Sequence, residues 1–259
     1  MSDYKLPPVW KNTADANSLN QDTAGSRFQQ KLPQGEAPFQ LYTFATPNGL
    51  KPLIMFEELK ELGIADASYN AYKIDISQGQ QFGSDFVKIN PNSKIPALLD
   101  LSKGKGIRVF ESANILLYLA EKFQLFMDFE LEKRTEVLNW LFWQTGAAPF
   151  LAGGFGHFFH YAPEKLEYPI NRYTMEAKRQ LDLLDKYLAK QDYMLGEKYT
   201  IADMAIWSWY GQLVEDKLYD NAAQFLDVNS YKHLKAWAEK ISQRPAVKRA
   251  SQIELGTID

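Results

Sequence analysis

The sequence predicts an α/β domain followed by an all-helical domain, and three observations carry that prediction. Strand-like and helix-like stretches alternate from residue 39 to residue 123, as a mixed architecture requires. Beyond residue 123 the strand signals stop and apolar residues recur at helical spacing. The length, 259 residues, leaves room for two cores of ordinary size.

Residues 1–38 are polar and without period, so they read as an irregular extension; Asn20 and Phe28 offer points of attachment to the body of the protein. Residues 39–44 (FQLYTF) alternate as a strand does. Thr46-Pro47-Asn48-Gly49 is a turn signal. Leu53, Ile54, Phe56, Leu59 and Leu62 then recur at helical spacing, with Gly63 placed as the stop. Residues 69–74 (YNAYKI) predict a second strand, and residues 77–87 an irregular or weakly helical link. Pro96, ahead of the apolar run Ala97-Leu98-Leu99, suits the first residue of a strand. Residues 102–106 read as a hairpin loop and residues 107–110 as the returning strand. Ile115, Leu116, Leu119 and Phe123 mark a helix whose expected N-cap is Ser112. This is the element order of a thioredoxin-like domain.

Residues 131–150 are helical in pattern and crowded with aromatics, and Pro149 with the pair Gly153-Gly154 is expected to halt them. Residues 170–188 predict a second long helix. Thr200-Ile201-Ala202-Asp203 is a capping box that opens an apolar helix through Trp209. Residues 230–243 give a last helix, ended at Arg244-Pro245. The domains are therefore expected at 39–125 and 130–255, behind the extension at 1–38.

Composition narrows the function. A hydrophobic fraction of 46% and a charged fraction of 24% are those of an ordinary globular protein. A net charge of −3 provides no field to recruit nucleic acid or acidic membranes. No apolar run is long enough to span a bilayer, and the N-terminus MSDYKLPPVWKN lacks the apolar core of a secretory signal. The expected location is the cytoplasm. Cysteine is absent, which excludes disulfides, thiolate metal sites and a cysteine nucleophile. Any thiol chemistry must use the substrate's sulfur.

The stretch from residue 90 to residue 123 carries the site chemistry. Ile95-Pro96 is a candidate cis bond, and the backbone of Ile95 can pair with an extended peptide. The first turn after Ser112 offers free N–H groups, a hydroxyl and a positive dipole end, which suit a carboxylate. Glu111 beside it can take an ammonium group. A small peptide with an α-carboxylate and an α-amine would satisfy all of them. The same residues also read as a proline-initiated hairpin and an ordinary capped helix, and the pattern alone leaves both open.

NPNSKIPAL, followed by a strand and by ES opening a helix that ends LYLAEKF, resembles the glutathione-binding half of the glutathione transferases. Gly196-x-x-x-Thr200-Ile201-Ala202-Asp203 and Arg244-Pro245-Ala246-Val247-Lys248 resemble their helical half, as marks of fold rather than chemistry. TPNG, FESANILLYLAEKF, GFGHFFHYAP, INRYTMEAKR and YTIADMAIW, in that order, narrow the resemblance to the nu class (YghU-type). It implies an N-terminal thioredoxin-like domain, an all-helical C-terminal domain, a homodimer, and glutathione as co-substrate without a metal. The implied activity is glutathione-dependent reduction of disulfides or organic hydroperoxides, with weak transferase activity. Two glutathiones, or one oxidised glutathione, would occupy each active site.

In this resemblance Thr46 and Asn48 stand near the sulfur, with Pro47 between them, in place of the catalytic Tyr, Ser or Cys of other classes. Ile95 pairs with the cysteinyl backbone, and Glu111 and Ser112 hold the γ-glutamyl end. Gln81 and Lys94 match further glutathione contacts, and Asn20 matches an extension residue near the sulfur. Arg172 matches a clamp on the second glutathione's carboxylate, for which a guanidinium is apt, and Thr145 and Gln144 would line the same pocket. A free thiol ionises near pH 8.5, so holding it as thiolate at neutral pH needs a depression of roughly 2 units, or about 2.7 kcal/mol. A hydroxyl hydrogen bond to an anion supplies about 1.5–3 kcal/mol. Without the resemblance, TPN reads as a turn and helix cap.

His157 and His160 have an H-x-x-H spacing, but with no cysteine and no HExxH context they read as part of an aromatic pocket wall rather than a metal site. Gly153, Gly154 and Gly156 read as a bend after Pro149. The alternative function is a non-catalytic glutathione-binding or regulatory protein on the same fold. A nucleic-acid-associated domain would need a basic surface, which the charge does not provide.

Overall fold

The computed structural model describes residues 5–13 and 19–258. The α/β half is built outward from β1 (Phe39–Thr43), a strand buried at all five residues. A strand covered on both faces reads as a near-continuous apolar run. Phe39 and Leu41 join the larger core, against α1 (Pro47–Glu61). Tyr42 joins a smaller cluster with Ile74, Phe86, Ile89 and Ala97. The chain continues through β2 (Tyr69–Lys73), α2 (Ser84–Ile89), β3 (Ala97–Asp100), β4 (Ile107–Phe110) and α3 (Ser112–Phe123).

The sheet order is β2-β1-β3-β4, with β1 parallel to β2 and antiparallel to β3, and β3 antiparallel to β4. Leu41 pairs with Leu98 and Leu98 with Val109, so one apolar face continues across three strands. The Ile95-Pro96 bond is cis and lies at the entry to β3, where a missing N–H breaks no ladder.

The helical half comprises α4 (Leu131–Pro149), α5 (Glu167–Leu188), α6 (Ile201–Ile206), α7 (Gln212–Val214), α8 (Ala222–Phe225), α9 (Lys232–Ser242) and α10 (Pro245–Ala250). The capping box at α6 forms: Asp203 accepts from the Thr200 N–H at 2.9 Å. It also accepts from the Met194 N–H at 2.8 Å and the Trp237 indole at 3.1 Å, tying three segments together. Burial pushes its carboxyl up to about 6 in spite of these donors.

Three expectations are corrected. Pro149 and the glycines do not halt the helix; it continues as a π-helical segment, Phe150–Tyr161. The widened register begins directly after Pro149, whose ring excludes a normal helical bond. Two of the glycines serve packing: a Cβ on Gly154 would stand 2.3 Å from the Tyr173 ring, and one on Gly156 2.2 Å from that of Tyr219. Ser112 is not the cap of α3. Glu111 occupies that position with φ 70°, and Ser112 is the first helical residue. The link at 77–87 is weakly helical, as expected, with two 3₁₀ turns, Ile76–Gln78 and Gln80–Phe82, and the start of α2. Finally, Pro245 ends one helix and opens another, as proline at a first helical position can.

Segments before β1 and after α10 pack on the α/β half. The Arg27 N–H donates to the Phe82 carbonyl at 2.9 Å, and the Ser84 N–H to the Phe28 carbonyl at 3.0 Å. The Tyr42 hydroxyl donates to the Pro33 carbonyl at 2.8 Å. Gly256 hydrogen-bonds to Ala71 and Lys73, which covers the edge of β2. Among the described residues, no helix is long and apolar enough to cross a membrane.

Candidate functional site

A cavity of about 550 Å³ lies where the first turns of α1 and α3 and the entry to β3 meet the π-helical segment. It is bounded by Thr46, Asn48, Gln81, Lys94, Ile95, Glu111 and Ser112, and by Leu19 and Asn20 of the extension. The helical half contributes Ala152 and Trp209. Pro47, Thr145 and Arg172 do not line it. Pro47 is the first residue of α1. Thr145 is exposed on α4, its hydroxyl donating to the Leu141 carbonyl at 3.0 Å. Arg172 is exposed near the start of α5.

Thr46 caps α1, its Oγ1 accepting from the Gly49 N–H at 3.1 Å. The cap is tight because Gly49 lacks a side chain: a Cβ there would stand 1.9 Å from the Phe44 carbonyl oxygen. Since Oγ1 accepts in the cap, its proton remains available to a ligand. Asn48, the second residue of α1, accepts on Oδ1 from the Trp209 indole at 2.8 Å and from the Ser112 hydroxyl at 3.4 Å. An indole can only donate, so the amide oxygen must face it and the Nδ2 group is left for other partners. The donors at the starts of two helices and the acceptors Glu111 and Gln81 suit an extended peptide with charged ends.

Two features of the wall suit a ligand. Gln81 is 8% exposed, and its Oε1 receives no hydrogen bond among the described residues. A buried acceptor of this kind is a place for a ligand N–H. Glu111 holds φ 70° and ψ 120°, a region that side-chain-bearing residues rarely adopt and that recurs at ligand sites. The NPNSK loop is held by the Asn90 side chain, which donates to the Lys94 carbonyl at 2.6 Å and accepts from the Asn92 N–H at 3.0 Å.

Behind this wall lies Lys51, a residue the sequence reading passed over. It is buried, and its ammonium donates to Gln144 Oε1 at 2.7 Å and to Ser112 Oγ at 3.1 Å. Burial pulls it down to about 7, against the opposing effect of Glu111. Its signal was present: Lys51 is the only charge in the run Leu50–Phe56. Trp209 carried no comparable signal, since an aromatic in an apolar helix reads as core. His157 and His160 stand edge-on to Phe158 and Tyr161, and among the described residues no three His, Asp or Glu gather in one place.

Family models for the glutathione S-transferase N-terminal and C-terminal domains match residues 37–121 and 150–250. The chain is 58% identical over 250 residues to the disulfide-bond oxidoreductase YghU of Escherichia coli, covering 95% of this chain and 86% of that protein. The crystal structure of glutathione transferase YghU from Streptococcus pneumoniae, complexed with glutathione, superposes with a TM-score of 0.97 at 63% identity, over 99% of this chain and 100% of that one. A glutathione transferase family member from Pseudomonas fluorescens, with two glutathiones bound, superposes with a TM-score of 0.77 at 34% identity, over 84% and 94% of the two chains.

Proposed function

The chain belongs to the glutathione S-transferase family, and from that premise we propose that it is a glutathione-dependent disulfide-bond oxidoreductase. The observation that carries the reading is a polar cavity with donors at two helix starts in a chain without cysteine. In this reading Ile95 pairs with the cysteinyl backbone, Ser112 and the first turn of α3 take the γ-glutamyl carboxylate, and Glu111 takes its ammonium. Gln81, Lys94 and Asn20 complete the contacts. Thr46 and the free amide hydrogens of Asn48 donate to the sulfur and hold it as thiolate.

The reaction uses two such thiolates. The first attacks a disulfide R–S–S–R′, the S–S bond breaks, R′–S⁻ leaves, and a mixed disulfide with glutathione remains. The second attacks the glutathione sulfur of that mixed disulfide, expelling R–S⁻ and forming oxidised glutathione. Organic hydroperoxides accept the same two electrons and are reduced to alcohol and water. Holding both glutathiones in one pocket makes the second attack effectively intramolecular. The reaction draws on a reduced glutathione pool, which points to the cytoplasm. The exposed Phe142 of α4 and Tyr168 and Met175 of α5 are apolar surface that a homodimer would cover.

The test is turnover of a small mixed disulfide with glutathione, coupled to glutathione reductase. Turnover above the uncatalysed rate supports the oxidoreductase. Glutathione binding without turnover leaves a binding or regulatory protein on the same fold.

A further inference from the structure

Lys51 is only 2% exposed in α1, yet it forms no ion pair among the described residues. Its two hydrogen-bond partners, Gln144 of α4 and Ser112 of α3, are neutral. The charged group acting on it is Glu111, from the cap of α3; Asn48 and the Trp209 indole beyond Ser112 are uncharged. A buried ammonium without a direct counter-charge is unfavourable and calls for a compensating anion.

The structure leaves one route for that anion. Ser112 lines the cavity and already accepts from Lys51, so its own proton must point onward. Among the described residues that proton reaches only Asn48 Oδ1, at 3.4 Å, a long contact. A ligand carboxylate at Ser112 would accept it directly.

We propose that Lys51 is a positioning residue: through the Ser112 hydroxyl it supplies the buried counter-charge for the ligand's α-carboxylate, and it takes up a proton from solvent as that ligand seats. This rests on the reading of the cavity as a glutathione site. Burial holds the lysine near 7, so about half of it is neutral at neutral pH. A carboxylate one hydroxyl away favours the ammonium and restores the charge.

The experiment is calorimetry with S-methylglutathione, whose blocked sulfur removes the thiol from the titration, at pH 6 and pH 8 in buffers of different ionisation enthalpy. A site that must be protonated, and that titrates near 7 when empty, makes wild-type affinity about tenfold lower at pH 8 than at pH 6 and takes up most of a proton at pH 8. The ligand's own amine adds a smaller dependence to every variant alike. Lys51→Met keeps the apolar stem, and a buried charge replaced by an apolar group of similar volume is well tolerated. It should bind more weakly at pH 6 and show only the amine's dependence. Lys51→Arg keeps the charge and cannot titrate, so it should retain affinity at pH 8. Proton uptake and pH dependence equal in wild type and Lys51→Met overturn the proposal while leaving the glutathione site standing. Absence of binding to wild type removes the site and the proposal together.

Discussion

One hydroxyl at Thr46 serves both helix and ligand. It accepts from the Gly49 N–H at 3.1 Å, which caps α1, and has its proton left for an anion. Thr46→Val keeps the shape and removes both functions. The lost cap should lower stability by about 1 kcal/mol. The lost donor should raise the pKa of the bound glutathione thiol by about 1 unit, the lower end of what a hydrogen bond to a charged group is worth. Thiolate absorbance against pH, at saturating glutathione, reads the second effect; superimposable curves would remove Thr46 from the mechanism. Ser112→Ala should weaken glutathione binding ten- to a hundredfold, since a donor to a carboxylate is lost and Lys51 keeps Gln144 alone. Calorimetry checks it, and unchanged affinity would place the γ-glutamyl end elsewhere. At this scale the sequence was informative where a residue type is unusual for its local pattern, as in TPNG and ES. Lys51 stands out in the same way, as the one charge in an apolar run, but its partner Ser112 lies 61 positions away; Trp209 has no such mark, and its contact with Asn48 spans 161 positions.

The elements hold these residues in place through the link between α1 and α10. Glu57 and Glu58, on α1, are each 3% exposed. The Arg244 guanidinium, beside the start of α10, grips Glu58, with Nη2 at 2.8 Å. Arg249 donates to Glu57 at 2.7 Å. Breaking such a pair from one side strands a buried charge, which typically costs about 3–5 kcal/mol. Arg244→Ala should therefore destabilise the protein by that order, and adding Glu58→Gln should recover part of the loss. Chemical denaturation of wild type, both single variants and the double variant measures the coupling; strictly additive effects would mean that α10 does not hold α1 through this pair. The Arg-Pro stop was legible at this position, but the helix that Pro245 opens was not, because proline both ends and begins helices. The π-helical segment was misread for a related reason. Glycines that admit the Tyr173 and Tyr219 rings carry the same letters as glycines that end a helix.

For the whole molecule, the change from mixed elements to helices alone gave the two-part fold, since each half buries its own periodic pattern. The meeting of the halves at one cavity was not legible, because periodicity says nothing about which faces oppose each other. That meeting decides the second thiol. A protein without cysteine needs two glutathione sulfurs, and the second molecule needs a carboxylate anchor on the helical side. Arg172 stands outside the cavity lining, but its neighbour Tyr173 packs on Gly154 and stacks with Phe158 at 5.7 Å. Ala152 of the same π-helical segment lines the cavity. A second glutathione running from the sulfur past Ala152 would thus come toward the start of α5. Arg172→Ala should leave the first binding event within about twofold and weaken the second about tenfold or more, the worth of one charge-assisted contact. Disulfide turnover should fall in parallel, since the resolving thiolate is no longer held. Binding stoichiometry and turnover on one preparation decide the matter. One glutathione per subunit in the wild type at saturation would end the two-thiol mechanism. Two sites untouched by the substitution would move the anchor to another residue.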